Sequence, residues 1–219
     1  MPVLYGFSPS VIPKPPDWDA DQQITGYWFL DRDEGWEPSP GLLAFLQAGP
    51  KPVCIGFGSM SNRDPESTAE LVMDAIRLSG QRGIILSGWG GLRVKDLPDS
   101  AFVLDSAPHS WLFPLVAAVV HHGGAGTTAA GFRAGVPTII IPFFGDQPFW
   151  GARAADLGVG PEPIPRKQLT AERLAEAIRD AVINEGMRKR ASDLGAKIRS
   201  EEGIARAVEI IEGVKLRSG

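Results

Sequence analysis

The stretch His121-His122-Gly123-Gly124-Ala125-Gly126-Thr127-Thr128 concentrates more chemistry than any other part of the chain. It follows an apolar run with strand character and opens a helical pattern. Its three glycines let backbone approach a ligand closely, and the first N–H groups of a helix have no partner inside it. Those donors, with the positive end of the helix dipole, form a site for phosphate. Thr127 and Thr128 can add hydroxyl donors, and His122 stands where its ring could donate to a phosphate oxygen. The same glycines could instead serve only close helix–sheet packing, with His122 a satisfied edge histidine. Gly124-x-Gly126-x-x-Ala129 also fits the alanine-ended form of a nicotinamide-dinucleotide fingerprint. That fingerprint needs an acid at the end of the following strand to hold the ribose. Asp146 lies 20 residues after Gly126, but Pro142-Phe143-Phe144-Gly145 separates it from the strand, so this reading ranks below the phosphate one.

Four further segments carry polar or aromatic groups suited to a ligand. Gly56-Phe57-Gly58-Ser59-Met60-Ser61 allows a tight turn, with Ser59 either a phosphate contact or a turn serine. It is no nucleophile elbow, because Gly-x-Ser-x-Gly would need glycine at Ser61. Phe143-Phe144-Gly145-Asp146-Gln147 ends in a carboxylate and a carboxamide, the mixture of acceptors and donors that sugar hydroxyls require. On chemistry alone a helix-capping Asp146 beside a solvated Gln147 is the simpler reading. Trp89 and Trp111 could stack on a base or belong to the core. His109, after Ala107-Pro108, could meet a nucleobase edge or cap a short helix over 110–115.

These loops need strands to hold them. Short apolar runs bounded by Gly and Pro predict strands over 53–57, 83–87, 101–104, 116–120 and 138–141. Helical patterns fall between and after them. One opens at Asp64-Pro65-Glu66, and others cover about 124–134, 146–157, 170–183, 185–199 and 203–214. Continuously apolar strands alternating with helices indicate a parallel sheet covered on both faces, a doubly wound α/β unit. Ligands of such sheets sit beyond the carboxyl ends of the strands, where the five loops above lie. Residues 1–51 show little regular pattern beyond a short helix over 42–47, and 26–30 reads as a strand or a packed loop. The expected division is a linker and interdomain segment over 1–51 and a compact domain over 52–219.

Composition narrows the classes. Hydrophobic residues make up 43% and charged residues 22% of 219, which fits a globular protein of one or two domains and excludes a disordered or fibrous chain. A net charge of −4 lacks the basic surplus of a nucleic-acid binder. One cysteine, Cys54, cannot form an internal disulfide, and three histidines make an all-protein zinc site a poor expectation. Neither a signal peptide nor a membrane-spanning run is visible, so the expected setting is the cytoplasm.

In order along the chain, Ser106-Ala107-Pro108-His109-Ser110-Trp111-Leu112-Phe113-Pro114, the loop 121–128, Arg133-Ala134-Gly135-Val136-Pro137 and Pro142-Phe143-Phe144-Gly145-Asp146-Gln147 resemble the nucleotide-sugar signature of UDP-glycosyltransferases. The likeness is strongest to sterol 3-beta-glucosyltransferases and their bacterial relatives, and Tyr5-Gly6-Phe7-Ser8-Pro9, Gly26-Tyr27-Trp28-Phe29 and Gly56-Phe57-Gly58-Ser59-Met60 add to it. The resemblance implies the C-terminal, donor-binding half of a GT-B enzyme, a Rossmann-like domain. It implies an inverting, metal-independent hexosyl transfer, of glucose first, from a UDP-sugar to a hydroxyl of a sterol-like or other lipophilic acceptor. The acceptor and the catalytic base belong to an N-terminal half that this chain lacks, so no catalytic residue, metal or cofactor is expected here. The chain alone should bind donor weakly and transfer almost nothing.

Residue by residue, the resemblance places His122, Gly124, Gly126, Thr127 and Ser59 at the phosphates, Asp146 and Gln147 at the sugar hydroxyls and His109 at the base edge. Plant relatives carry a base-stacking tryptophan where this chain has Ser106, and a ribose-binding glutamate where it has Ala130. Base and ribose recognition therefore fall to other groups, with Trp89 a candidate. A module that binds nucleotide-sugar without catalysis remains an alternative, and a nicotinamide-dependent oxidoreductase a more distant one. In the family the last helix crosses back to the N-terminal half, so its apolar side is left either exposed or paired in a homodimer.

Overall fold

The computed structural model describes residues 1–30, 35–57, 65–87 and 97–215. Two strands, β1 (Val3–Tyr5) and β2 (Gln22–Ile24), precede the helix α1 (Pro40–Gln47). Then come β3 (Val53–Gly56), α2 (Pro65–Ser79), β4 (Gly83–Leu86), β5 (Ala101–Leu104), α3 (His109–Leu112) and β6 (Ala118–His121). The chain continues through α4 (Ala125–Ala134), β7 (Thr138–Ile140), α5 (Gln147–Asp156), α6 (Ala171–Ile183), α7 (Glu185–Arg199) and α8 (Gly203–Lys215).

Strands β3 to β7 form one parallel sheet in the order β5-β4-β3-β6-β7. The chain winds outward from β3 in one direction through β4 and β5, then returns to wind the other way through β6 and β7. Strand order therefore reverses between β3 and β6, which register Gly56 against His121 at their carboxyl ends. A crevice opens there because the connections leave the two strands on opposite sides of the sheet.

Both faces of the sheet are covered, which is why its strands read as unbroken apolar runs. Val53, Ile55, Ile85, Val120 and Ile139 point to one face and pack with Val72, Ile76, Leu174 and Ile178 of α2 and α6. Cys54, Ile84 and Val119 point to the other and pack with Leu42, Leu112 and Phe113. A third cluster joins Ile140 to Phe132 of α4, Trp150 of α5 and Leu194 and Ile198 of α7. Capping sets the C-terminal helices: Thr170 accepts from the Arg173 N–H at 3.3 Å and Asn184 from the Met187 N–H at 3.0 Å.

The fourth strand runs over 118–121 rather than 116–120, because the Phe113–Leu115 turn of 3-10 helix delays its entry. The opening segment is also more regular than its prolines suggest. β1 and β2 pair in parallel, and 26–30 is a packed loop rather than a strand. Val11 is fully buried in the third cluster, and Ser8 donates to Glu201 Oε1 at 2.6 Å. Three-residue strands carry too little periodicity to stand out in a proline-rich stretch. Along α8, Ile204, Val208 and Ile211 share one side and are about half exposed, at 52%, 46% and 47%. Among the described residues no helix is long and apolar enough to cross a membrane.

Candidate functional site

The crevice contains a cavity of about 310 Å³. Its floor is Cys54, Gly56, Val119 and Val120; its walls are Leu86, Asp105, Ser106, Ala107, His109 and Phe113 on one side and His121, His122 and Thr127 on the other. Gly56 is needed here, because a Cβ would stand 2.9 Å from Leu86 Cβ. All three histidines of the chain reach this one space.

The helix α4 meets the cavity with its amino end. Gly124 is the N-cap and offers no side chain to the first turn, so the leading N–H groups keep their donors for something else. Gly123 has φ +93°, a conformation open to glycine, and a Cβ there would lie 2.8 Å from Ile140 Cγ2 and 3.1 Å from the Gln147 carbonyl oxygen. Gly124 has ordinary backbone angles, but a Cβ would lie 2.7 Å from His122 Nε2. Gly126 differs from both: a Cβ built on it meets nothing within 4 Å. The two threonines divide their roles. Thr128 is fully buried and its hydroxyl donates to the Gly124 carbonyl at 2.9 Å, whereas Thr127 lines the cavity.

The segment after β7 packs beside the Gly123 turn and supplies none of the residues that line the cavity. Gly145 takes φ +67° and Asp146 precedes α5 without capping it. Asp146 is exposed, and the indole N–H of the nearly buried Trp150 donates to its Oδ2 at 2.8 Å, which fixes the carboxylate's orientation. Gln147 is buried; its Oε1 accepts from the Phe143 and Phe144 N–H groups at 2.7 and 3.1 Å. The carboxamide oxygen thus holds the exit turn of β7 rather than standing solvated. His109 begins α3, stacks on Phe113 with centroids 4.4 Å apart, and borders the cavity. Ser59 and Trp89 lie outside the described residues, as does Asp64. Ala130 faces a neighbouring recess with Phe29, Trp111 and Arg133 instead of the cavity.

Two cavity residues escaped the sequence reading. Asp105 follows β5 and accepts from the Ser87 hydroxyl at 2.9 Å; an acid just past a parallel strand was the available signal. His121 is 2% exposed, and strand alternation from Val119 puts it on the cavity's side of the sheet.

Burial disfavours the charged form of these histidines. It lowers His109, and it lowers His122 more than the Phe57 backbone and the Asp146 charge raise it. His121 falls from 6.5 to about 3 by burial first and then by repulsion from His122 and His109. The folded state therefore binds fewer protons than the unfolded one below pH 6.5. His121's contribution leaves stability intact above that pH and drains it as pH falls, by up to about 1.4 kcal/mol per pH unit. Urea midpoints should drop between about pH 7 and about pH 5; an unchanged midpoint across that range contradicts the burial of a neutral His121. Among the described residues no group of three or more His, Cys, Asp or Glu side chains could hold a metal ion.

A doubly wound parallel sheet with a cavity at its reversal point defines the Rossmann-like class of α/β domain. Residues 71–213 match the family model described as "Erythromycin biosynthesis protein CIII-like, C-terminal domain", and the chain belongs to that family. It is similar to the sterol 3-beta-glucosyltransferase UGT80A2 of Arabidopsis thaliana, with 45% identity over 210 residues, covering 95% of this chain and 33% of the relative. It is also similar to a sterol 3-beta-glucosyltransferase of Neosartorya fischeri, at 45% over 224 residues, covering 96% of this chain and 16% of the relative. The chain thus spans a third or less of these relatives. Its fold is that of a GT-B glycosyltransferase C-terminal domain. The calicheamicin glycosyltransferase CalG4 superimposes with a TM-score of 0.79 at 21% identity, over 99% of this chain and 54% of CalG4. The glycosyltransferase of kitacinnamycin gives the same TM-score and identity, over 95% of this chain and 53% of its own.

Proposed function

We propose that this chain is the donor-binding part of an inverting glycosyltransferase that takes a hexose, glucose first, from a UDP-sugar to a hydroxyl of a sterol-like or other lipophilic acceptor. The observation that carries the reading is the uncapped amino end of α4 at the crevice, with Thr127 and His122 beside it. A diphosphate there accepts from backbone N–H groups, the Thr127 hydroxyl and the His122 ring, with Gly124 and Gly126 giving close access. These groups supply the stabilisation that the leaving phosphate needs as the anomeric carbon–oxygen bond breaks, without a metal ion. Ser59, which follows β3 in the sequence, is assigned to the same phosphates, and Trp89 and His109 to the nucleoside. Asp146 takes the sugar hydroxyls, with Gln147 shaping the turn that presents it. The base that removes the acceptor's proton lies in a part of the protein outside this chain, which also covers the apolar stripe of α8.

Calorimetric titration with UDP, UDP-glucose, TDP-glucose and NAD tests the reading. UDP and UDP-glucose should bind and NAD should not; NAD binding without UDP binding overturns it. Asp146→Asn, still able to accept from Trp150, should weaken UDP-glucose by about tenfold while leaving UDP nearly unchanged. An equal loss for both ligands would move Asp146 from the sugar to the phosphates.

A further inference from the structure

His121 carries a hydrogen-bonding group that the fold prepares and does not use. Its Nδ1 accepts from the Gly123 N–H at 2.9 Å. In a neutral imidazole one nitrogen accepts and the other bears the proton, so the proton sits on Nε2. That Nε2 is buried and has no partner among the described residues, in a side chain 2% exposed that lines the cavity. Leaving a buried donor unmatched is costly, and buried donors in native proteins are nearly always paired. The ring cannot turn to find another partner without releasing Gly123, whose φ of +93° shapes the turn into α4.

We propose that His121 is a further donor-substrate ligand: its Nε2–H hydrogen-bonds an oxygen of the nucleotide bound in the crevice, while its Nδ1 holds the turn that presents the phosphate-binding N–H groups. This rests on the reading of the cavity as the nucleotide site. It adds a neutral donor beside His122, placed by the sheet rather than by the loop. Because the residue ends β6, in register with Gly56 and Ile140, its position does not depend on loop movement.

Two substitutions separate the two nitrogens. In His121→Asn the amide oxygen takes roughly the place of Nδ1 and keeps the Gly123 bond, but no donor reaches the cavity. In His121→Gln the amide nitrogen takes roughly the place of Nε2 and keeps the donor. By calorimetry with UDP, His121→Asn should lose at least about tenfold in affinity and His121→Gln markedly less. Nitrogen-15 NMR of the unsubstituted chain gives a readout independent of variant folding. It should show the Nε2–H tautomer, with that N–H resonance shifting when UDP is added. A Nδ1–H tautomer, an Nε2–H resonance unmoved by bound UDP, or His121→Asn binding UDP like the parent overturns the proposal. Failure of the parent chain to bind UDP at all removes the nucleotide reading and this proposal together.

Discussion

Gly126→Ala should make the protein more stable and a poorer binder of UDP. A glycine in a helix interior costs about 0.5–1 kcal/mol relative to alanine, and Gly126, second residue of α4, carries the smaller part of that cost. Nothing in the fold requires one at this position, since a Cβ would meet open space. A residue kept at a cost to its own helix, one turn from His122 and beside Thr127, needs a reason outside the folded chain, and close approach of a ligand supplies it. Crowding a well-fitted contact by one methyl typically costs about 1–3 kcal/mol, so UDP affinity should fall by about tenfold. The melting temperature should rise slightly in the same variant. Opposite signs in the two measurements separate a binding role from a packing role: a glycine kept for packing would lose stability and affinity together.

Gly123→Ala should instead damage the fold and the site at once. Alanine at φ +93° is strained, and its methyl would press on Ile140 Cγ2 at 2.8 Å and on backbone at 3.1 Å. Backbone strain and overpacking each cost about 1–3 kcal/mol, giving roughly 2–6 kcal/mol together. For a chain of this size that lowers the melting temperature by roughly 5–15 °C. The turn also carries the N–H that His121 accepts, so displacing it misaims the start of α4 and should abolish measurable UDP binding. Thermal unfolding and calorimetry on one sample check both halves; a variant melting with the parent would mean that the turn has room the geometry denies it.

These two glycines show what the sequence can and cannot reveal. Three glycines between an apolar run and a helical pattern announce a strand-to-helix turn near a ligand, and the turn stands where that pattern puts it. Their separate reasons are invisible in one dimension. Gly123 answers to Ile140 and Gln147, Gly124 to the His122 ring, and Gly126 to nothing in the fold. Strands β3, β4 and β5 were legible because burial on both faces removes polar residues and leaves unbroken apolar runs. The order β5-β4-β3-β6-β7 was not, since register depends on contacts between distant segments. Gln147 reads as a solvated partner of Asp146 because nothing local says that the Phe143 and Phe144 N–H groups turn back toward it. The pairing of His121 with Gly123 spans two residues, yet only the fold shows that it leaves Nε2 unpaired in a cavity.

Donor recognition turns on whether a diphosphate is held at the amino end of α4. A crystal of this chain soaked with UDP tests it most directly. Phosphate density should lie within hydrogen-bond distance of the first N–H groups of α4, the Thr127 hydroxyl and the His122 ring. Nucleotide bound elsewhere on the sheet, with that helix end untouched, would contradict it.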